Sequence, residues 1–209
     1  MDWLEEKIEK WSRGIEKYSN KETAERVMQG SGALREMDSS SRAHWFAESL
    51  RKLEAEINDM ETRQEILTAC SCTFTDEFGP DSLLPYRKIF EETGDVRMVL
   101  EAMQKDRSRF ATSELKGNVI HEKRAPRDPE AYAKAGTAEE RRLAACFCPL
   151  ARAGQVPFPE PYCYCSAGWF KGIWEGIIGS PVRVEVTKSL LRGDETCEFE
   201  IHLPQEIPQ

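Results

Sequence analysis

Long apolar runs are missing from this chain of 209 residues. No stretch approaches the ~18 consecutive apolar residues of a bilayer-crossing helix, and the mean hydropathy of −0.59 agrees. A membrane-spanning protein is therefore not expected. Grouped basic charge is also missing, because 29 Lys and Arg are scattered among 37 Asp and Glu for a net charge of −8. Nucleic-acid binding needs clustered cations to neutralise phosphates, so that class of partner is set aside. The chain has only three histidines, His44, His121 and His202, far apart and in no motif. It carries no Gly-rich phosphate loop, nucleophile elbow or His-Glu-x-x-His sequence, and no internal repeat or low-complexity tract. Its opening MDWLEEKIEK is acidic and amphipathic, unlike a secretory signal.

Cysteine, by contrast, is plentiful. The count is seven, odd, in a chain longer than the small secreted frameworks that disulfides usually staple. A reducing, cytoplasmic setting is the expectation, and there closely spaced cysteines point to metal binding or redox chemistry.

Leu4, Ile8, Trp11, Ile15 and Tyr18 alternate at spacings of three and four, the stripe of an amphipathic helix. After a break at Gly30 to Gly32, the Ser39-Ser40-Ser41 cluster offers an N-cap for a second stripe of Phe46, Leu50, Leu53, Ile57 and Met60. Asp95 can cap a helix carrying Val96, Val99, Leu100 and Met103. Residues 113 to 136 hold Gly117, Pro126, Pro129 and Gly136, which reads as a linker with a short edge strand at Asn118 to His121. Thr137 and Glu140 form a capping box opening a short helix through Leu143. Phe170, Ile173, Trp174 and Ile177 then make a helical face that Gly179 and Pro181 stop. Val182, Val184 and Val186, a turn at Arg192 to Glu195, and Cys197, Phe199, Ile201 and Leu203 alternate as a β-hairpin with one apolar and one charged face. His202 falls on the charged face, where a solvated role is expected. Pro204 to Gln209 reads as a frayed tail. The expected fold class is α+β: a helical lobe over residues 1–110, then a cysteine-rich module over 111–209 with a small antiparallel β-sheet, a packed helix and a C-terminal hairpin.

Six of the cysteines occur as Cys-x-Cys: Cys70 and Cys72, Cys146 and Cys148, Cys163 and Cys165, with Cys197 alone. In extended backbone residues i and i+2 project to one side, whereas on a helix they diverge by about 200°. These pairs are accordingly expected in loops or at helix ends, each aiming two thiolates together. Cys146, Cys148, Cys163 and Cys165 form the expected metal set, with Cys197 a nearby fifth candidate. Four thiolates suit one tetrahedral zinc at Zn–S near ~2.3 Å, and an iron–sulfur cluster accepts four as well. Reversible thiol chemistry and plain packing are the alternatives for the same residues. Cys165 and Ser166 stand at the start of the last helix, where free N–H groups favour a thiolate as ligand or nucleophile. Trp169, Phe170 and Trp174 read as core, able to line a pocket between helix and sheet.

The C-terminal run from Cys165 to Phe170, Trp174 to Gly179, Pro181 to Val186, and Leu191 to Ile201 resembles the 4-vinyl reductase type domain. Its most specific part is Gly193-Asp194 followed by Cys197 and Phe199. The ending is similar also to bacterial proteins described as L-2-amino-thiazoline-4-carboxylate hydrolase-like, and the resemblance covers about the last fifty residues. The helical first half, with Cys70 and Cys72, resembles uncharacterised cysteine-containing bacterial proteins. The resemblance implies a small-molecule-binding or sensory α+β module whose cysteines can bind metal. Ser189 stands where the family commonly has a cysteine, which moves the expected metal site from the hairpin to the Cys-x-Cys pairs.

The leading expectation is thus a cytoplasmic, cysteine-rich metal-binding protein, zinc or iron–sulfur, that binds or senses a small-molecule ligand. The first alternative is a cysteine-dependent enzyme, a hydrolase of a small cyclic amide-like substrate or a thiol oxidoreductase, with Cys165 or Cys163 as nucleophile. The second is an interaction scaffold assembling as a homo-oligomer through the two striped helices.

Overall fold

Apolar residues at three-four spacing build the first helix as expected: α1 (Trp3–Tyr18) buries Leu4, Trp11 and Ile15. The chain turns into α2 (Lys21–Val27), capped by Asn20. The second predicted stripe divides into two helices. Asp38, not the serine cluster, caps α3 (Ser39–Glu56) by accepting from the Ser41 amide at 2.7 Å. Ile57 then turns extended, and Asp59 caps α4 (Met60–Ala69), leaving Met60 exposed. An Asp side chain that offers a cap competes with helix continuation, which is why an unbroken apolar spacing did not make one helix. Three shorter helices follow: α5 (Phe74–Phe78), α6 (Leu84–Thr93) and α7 (Val96–Met103), the last capped by Asp95 as expected.

A computed structural model describes residues 3–105, 110, 112–153 and 158–205. The last four positions of the expected tail and residues 154–157, between the second and third cysteine pairs, lie outside the described residues.

Among the described residues the sheet has four antiparallel strands in the order β1-β2-β4-β3: β1 (Glu114–Lys116), β2 (Val119–Lys123), β3 (Arg183–Lys188) and β4 (Glu198–His202). The strand expected at an edge is interior, because Gly117 at φ +57° folds β1 back onto β2 while β4 pairs on the other side. The C-terminal hairpin β3–β4 forms as expected, with a register irregularity between Val186 and Lys188. Between β2 and β3 lie α8 (Pro129–Lys134), α9 (Ala138–Ala145) with its Thr137/Glu140 capping box, α10 (Pro149–Arg152) and the long α11 (Tyr164–Ile178).

α11 positions the candidate site because it belongs to both hydrophobic cores. One core joins α5, α7, α11 and the buried sheet face through Phe74, Val99, Ile173, Trp174, Phe199 and Ile201. The other joins α1 to α4 through Trp11, Ile15, Phe46 and Ile66, and takes in Leu150, Phe158 and Tyr162. Both cores therefore mix residues from before and after position 110. The stripes of α1 and α3 are spent on this internal packing. α11 approaches α4 closely at Gly168, where an added Cβ would stand 2.1 Å from the Thr68 carbonyl oxygen. No described helix is long and apolar enough to cross a membrane.

Candidate functional site

All seven cysteines are free thiols, and the start of α11 sorts them into two groups. Cys163 ends a 3-10 turn (Glu160–Cys163) that runs directly into α11. The third Cys-x-Cys pair therefore lies in continuous helical backbone rather than a loop, and its two side chains diverge to opposite sides. Cys146 and Cys148 behave as expected. Both are extended, at φ −70°, ψ 131° and φ −62°, ψ 120°, between the end of α9 and the start of α10, so they project together.

The first group surrounds a cavity of about 470 Å³ whose wall includes Cys146, Cys148, Cys163, Cys197, Arg124 and Ser166. Four of the five residues of the sequence-derived set thus face one space; Cys165 does not. Ser189 Oγ donates to Cys163 Sγ at 2.8 Å, and its own amide is held by Asp194 Oδ2 at 2.8 Å. Ser189 thus touches a thiol of the cavity wall. The Cys197 thiol is lowered to about 7, chiefly by its hydrogen bond with Cys163, against its burial and with help from the Leu190 backbone and Arg124. Cys163 is raised correspondingly, first by the same hydrogen bond and then by burial. Burial, with Cys148 and Cys197 nearby, pushes Cys146 up to about 12. No three cysteine sulfurs lie within 4.8 Å of one another among the described residues. A tetrahedral zinc would need sulfurs roughly 3.8 Å apart for Zn–S near ~2.3 Å, so the arrangement as it stands is wider than a single zinc requires.

Arg124 closes one side of this cavity and opens a second. Its guanidinium carbon lies 4.3 Å from the Phe147 ring centre and 4.7 Å from that of Trp169, cation–π geometry that holds a charge in an apolar wall. The Arg124 amide donates to the Cys197 carbonyl at 2.9 Å, fixing the strand end against the hairpin. Beyond it Trp169 and Phe170 wall a cavity of about 310 Å³ with Glu77 and Phe78. Two of the three aromatics expected to reach a pocket do so, while Trp174 is buried in the core.

The second group lies across the helix. Cys165 Sγ accepts from Lys7 Nζ at 2.8 Å, and the same ammonium donates to the Cys70 carbonyl at 2.7 Å. Cys70 Sγ is 3.6 Å from Lys7 Nζ, and Cys72 Sγ accepts from the Trp3 indole at 3.3 Å. Burial works against the charge on Lys7, yet Cys165, Cys70, Cys72 and Cys148 outweigh it and raise its pKa well above the ordinary value. Cys165 is held well below the usual thiol range, first by the hydrogen bond with Cys70, against the cost of burial, and further by Lys7. A buried ammonium requires a buried anion, and thiolate is the anion on hand. Cys148 bridges the groups: it lines the cavity, and its sulfur is 3.3 Å from the Tyr162 hydroxyl. Lys7 and Arg124 are the residues the sequence reading missed. Lys7 sits between Leu4, Ile8 and Trp11 on the buried side of α1, and a lysine inside an apolar stripe is the signal that points to it.

No protein-family profile matches the chain, and no solved structure matches it. The chain is similar to an uncharacterised protein of Methanocaldococcus jannaschii, MJ0745, at 41% identity over 48 residues. That stretch spans 23% of this chain and 26% of that protein, so the likeness is confined to about a quarter of either.

Proposed function

We propose that the chain is a metal-binding protein whose centre is held by Cys146, Cys148, Cys163 and Cys197. One observation carries the reading: four thiols from three separate segments wall a single cavity. Thiolates select copper(I), zinc and iron–sulfur clusters, and zinc or an iron–sulfur cluster is the expectation from the sequence. Of the two, the wide sulfur spacing favours a cluster, which interposes inorganic sulfide between its ligands and spreads them apart. Ser189 would donate to the Cys163 sulfur and Arg124 would offset part of the centre's negative charge, as neighbours of a metal site commonly do. The cavity is also lined by Thr112, Lys123 and Tyr132, which gives a small polar or anionic ligand room to sit beside the centre. A reducing, cytoplasmic setting goes with this use of the thiols.

The test is purification of the untagged full chain without oxygen, followed by iron, sulfide and zinc analysis and a visible spectrum. The expected result is a stoichiometric centre that Cys146→Ser, Cys163→Ser and Cys197→Ser each abolish and Cys165→Ser leaves in place. Metal-free protein with every thiol open to alkylation would refute it. Were Cys165 then the thiol modified first, the enzyme reading, with Lys7 beside the nucleophile, would take its place.

A further inference from the structure

Away from the thiols, the open face of the sheet carries a row of ligand-type side chains set by strand register. Glu185 on β3 pairs with Glu200 on β4, and Glu200 pairs in turn with His121 on β2. Side chains at paired positions share a face. His202 lies two residues along β4 from Glu200 and therefore points the same way. The result is two imidazoles and two carboxylates on three adjacent strands.

Their geometry leaves a gap of a particular size. His202 Nε2 is shielded from solvent and has no hydrogen-bond partner among the described residues. It lies 3.8 Å from Glu185 Oε2 and 3.8 Å from Glu200 Oε2, too far for a hydrogen bond. One donor atom from each of Glu185, Glu200 and His202 falls within 4.8 Å of the other two. Glu200 turns its second oxygen toward His121, with Oε1 3.5 Å from Nδ1. A zinc ion with bonds of ~2.0–2.2 Å would hold its nitrogen and oxygen donors roughly 3.3 Å apart in a tetrahedral site, about half an ångström closer than the two 3.8 Å distances from His202 Nε2 to the carboxylates. Arg183, the register partner of His202, is a competing cation on this face, and its ion pair leaves the second Glu185 oxygen unengaged. Arg183 pairs with Oε1 of Glu185, not Oε2, and Lys188 pairs with Glu198.

We infer that Glu185, Glu200 and His202, with His121 at the margin, form a second metal site that takes a divalent transition ion such as zinc. Mixed imidazole and carboxylate donors select such ions over calcium or magnesium, which prefer all-oxygen shells. The site is independent of the cysteine centre, so either can fail without the other.

The test uses the full chain, zinc alone as the probe, and the imidazole resonances of its three histidines. These resonances report on each histidine even while thiols elsewhere take up zinc. On titration the His202 and His121 signals should shift together and saturate, and the His44 signal should stay in place. Glu200→Gln should weaken the response by about ten-fold or more, since residues even one step behind a metal typically cost that much. Glu185→Gln, at the other edge of the gap, should do the same. Both substitutions are on an open sheet face, and a denaturation midpoint like that of the parent checks that the fold is retained. The inference is overturned if His202 and His121 do not respond, if His44 moves in step with them, or if both glutamine variants titrate like the parent.

Discussion

Replacing Gly168 by alanine should separate the two helices that bring Cys165 to Cys70, and its cost follows from the contacts. An alanine Cβ would lie 2.1 Å from the Thr68 carbonyl oxygen, 3.0 Å from the Thr68 carbonyl carbon and 2.5 Å from Ser71 Cβ. Two of these neighbours are backbone at the end of α4, just before Cys70, so no rotamer change relieves them. Overpacking costs about 1–3 kcal/mol when side chains can adjust, and more when they cannot. Alanine in mid-helix returns about 1 kcal/mol of propensity relative to glycine. With backbone contacts placing the cost at or beyond the upper end of that range, a net loss of about 2 kcal/mol or more results. Gly176 on the same helix is the control, because its added Cβ would meet only Leu83 Cδ1, at 2.7 Å, the far end of a flexible side chain. Gly176→Ala should therefore be nearly neutral. Urea unfolding of the parent and both variants, followed by circular dichroism, measures the difference. Cys165 lies three residues before Gly168 and shares its side of the helix, so the variant should also loosen the Lys7–Cys165 contact. A Gly168→Ala protein as stable as the parent, or more so, would refute the claim that this glycine sets the spacing of α11 on α4.

Two further outcomes follow from buried charge. Burial raises Glu122 from 4.5 to about 7, opposed by the Ser113 hydroxyl that donates to it and by Arg124. Because its folded pKa exceeds the unfolded one, the folded state holds the proton more tightly, and this group's contribution to stability falls as pH rises from 4.5 to about 7. At about 1.4 kcal/mol per unit the loss is roughly 3 kcal/mol above that window. Glu122→Gln should match the parent near about pH 5 and exceed it near about pH 8; an equal gap at both pH values would contradict the assignment. Lys7→Ala removes an ammonium whose bond to the Cys70 carbonyl is 2.7 Å long. Charged hydrogen bonds contribute about 1.5–3 kcal/mol, so a loss of that size is expected in the same urea assay. Lys7→Met, which keeps the buried stem and removes only the charge, should lose less than alanine but still fall below the parent, and a methionine variant as stable as the parent would count against Lys7 as the charge that holds this group of thiols.

Where the local signal and the tertiary packing agreed, the fold was legible. Val182 to Val186 and Cys197 to Leu203 each alternate, and α1 has a clean stripe, so period and burial lead to one answer. Where a polar cap interrupted an apolar spacing, periodicity alone misled. Asp59 starts a new helix inside what reads as one stripe, and Met60 becomes its exposed first residue. β2 reads as an edge strand because residues 113–136 hold Gly and Pro with few periodic apolar positions. Its interior position depends on β4, some eighty residues away, and pairing at that separation leaves no local mark.

The thiol groups depended on a distinction between loop and helix that the Cys-x-Cys spacing does not carry. Cys146 and Cys148 are extended and face the cavity together, as the spacing implies for that backbone. Cys163 and Cys165 have the same spacing in a helical turn, and a rotation of about 200° sends one to Ser189 and the other to Lys7. Pro161 precedes this pair without making its backbone irregular. It occupies the first turn of the 3-10 segment instead, a position where its missing N–H has no partner to lose. The start of α11 thereby becomes the divider between a thiol group with an open cavity and a buried one tied to a lysine. A set of cysteines read as one site in sequence is, in three dimensions, shared between the two faces of a helix, and it is the helix, not the motif, that decides which thiols act together.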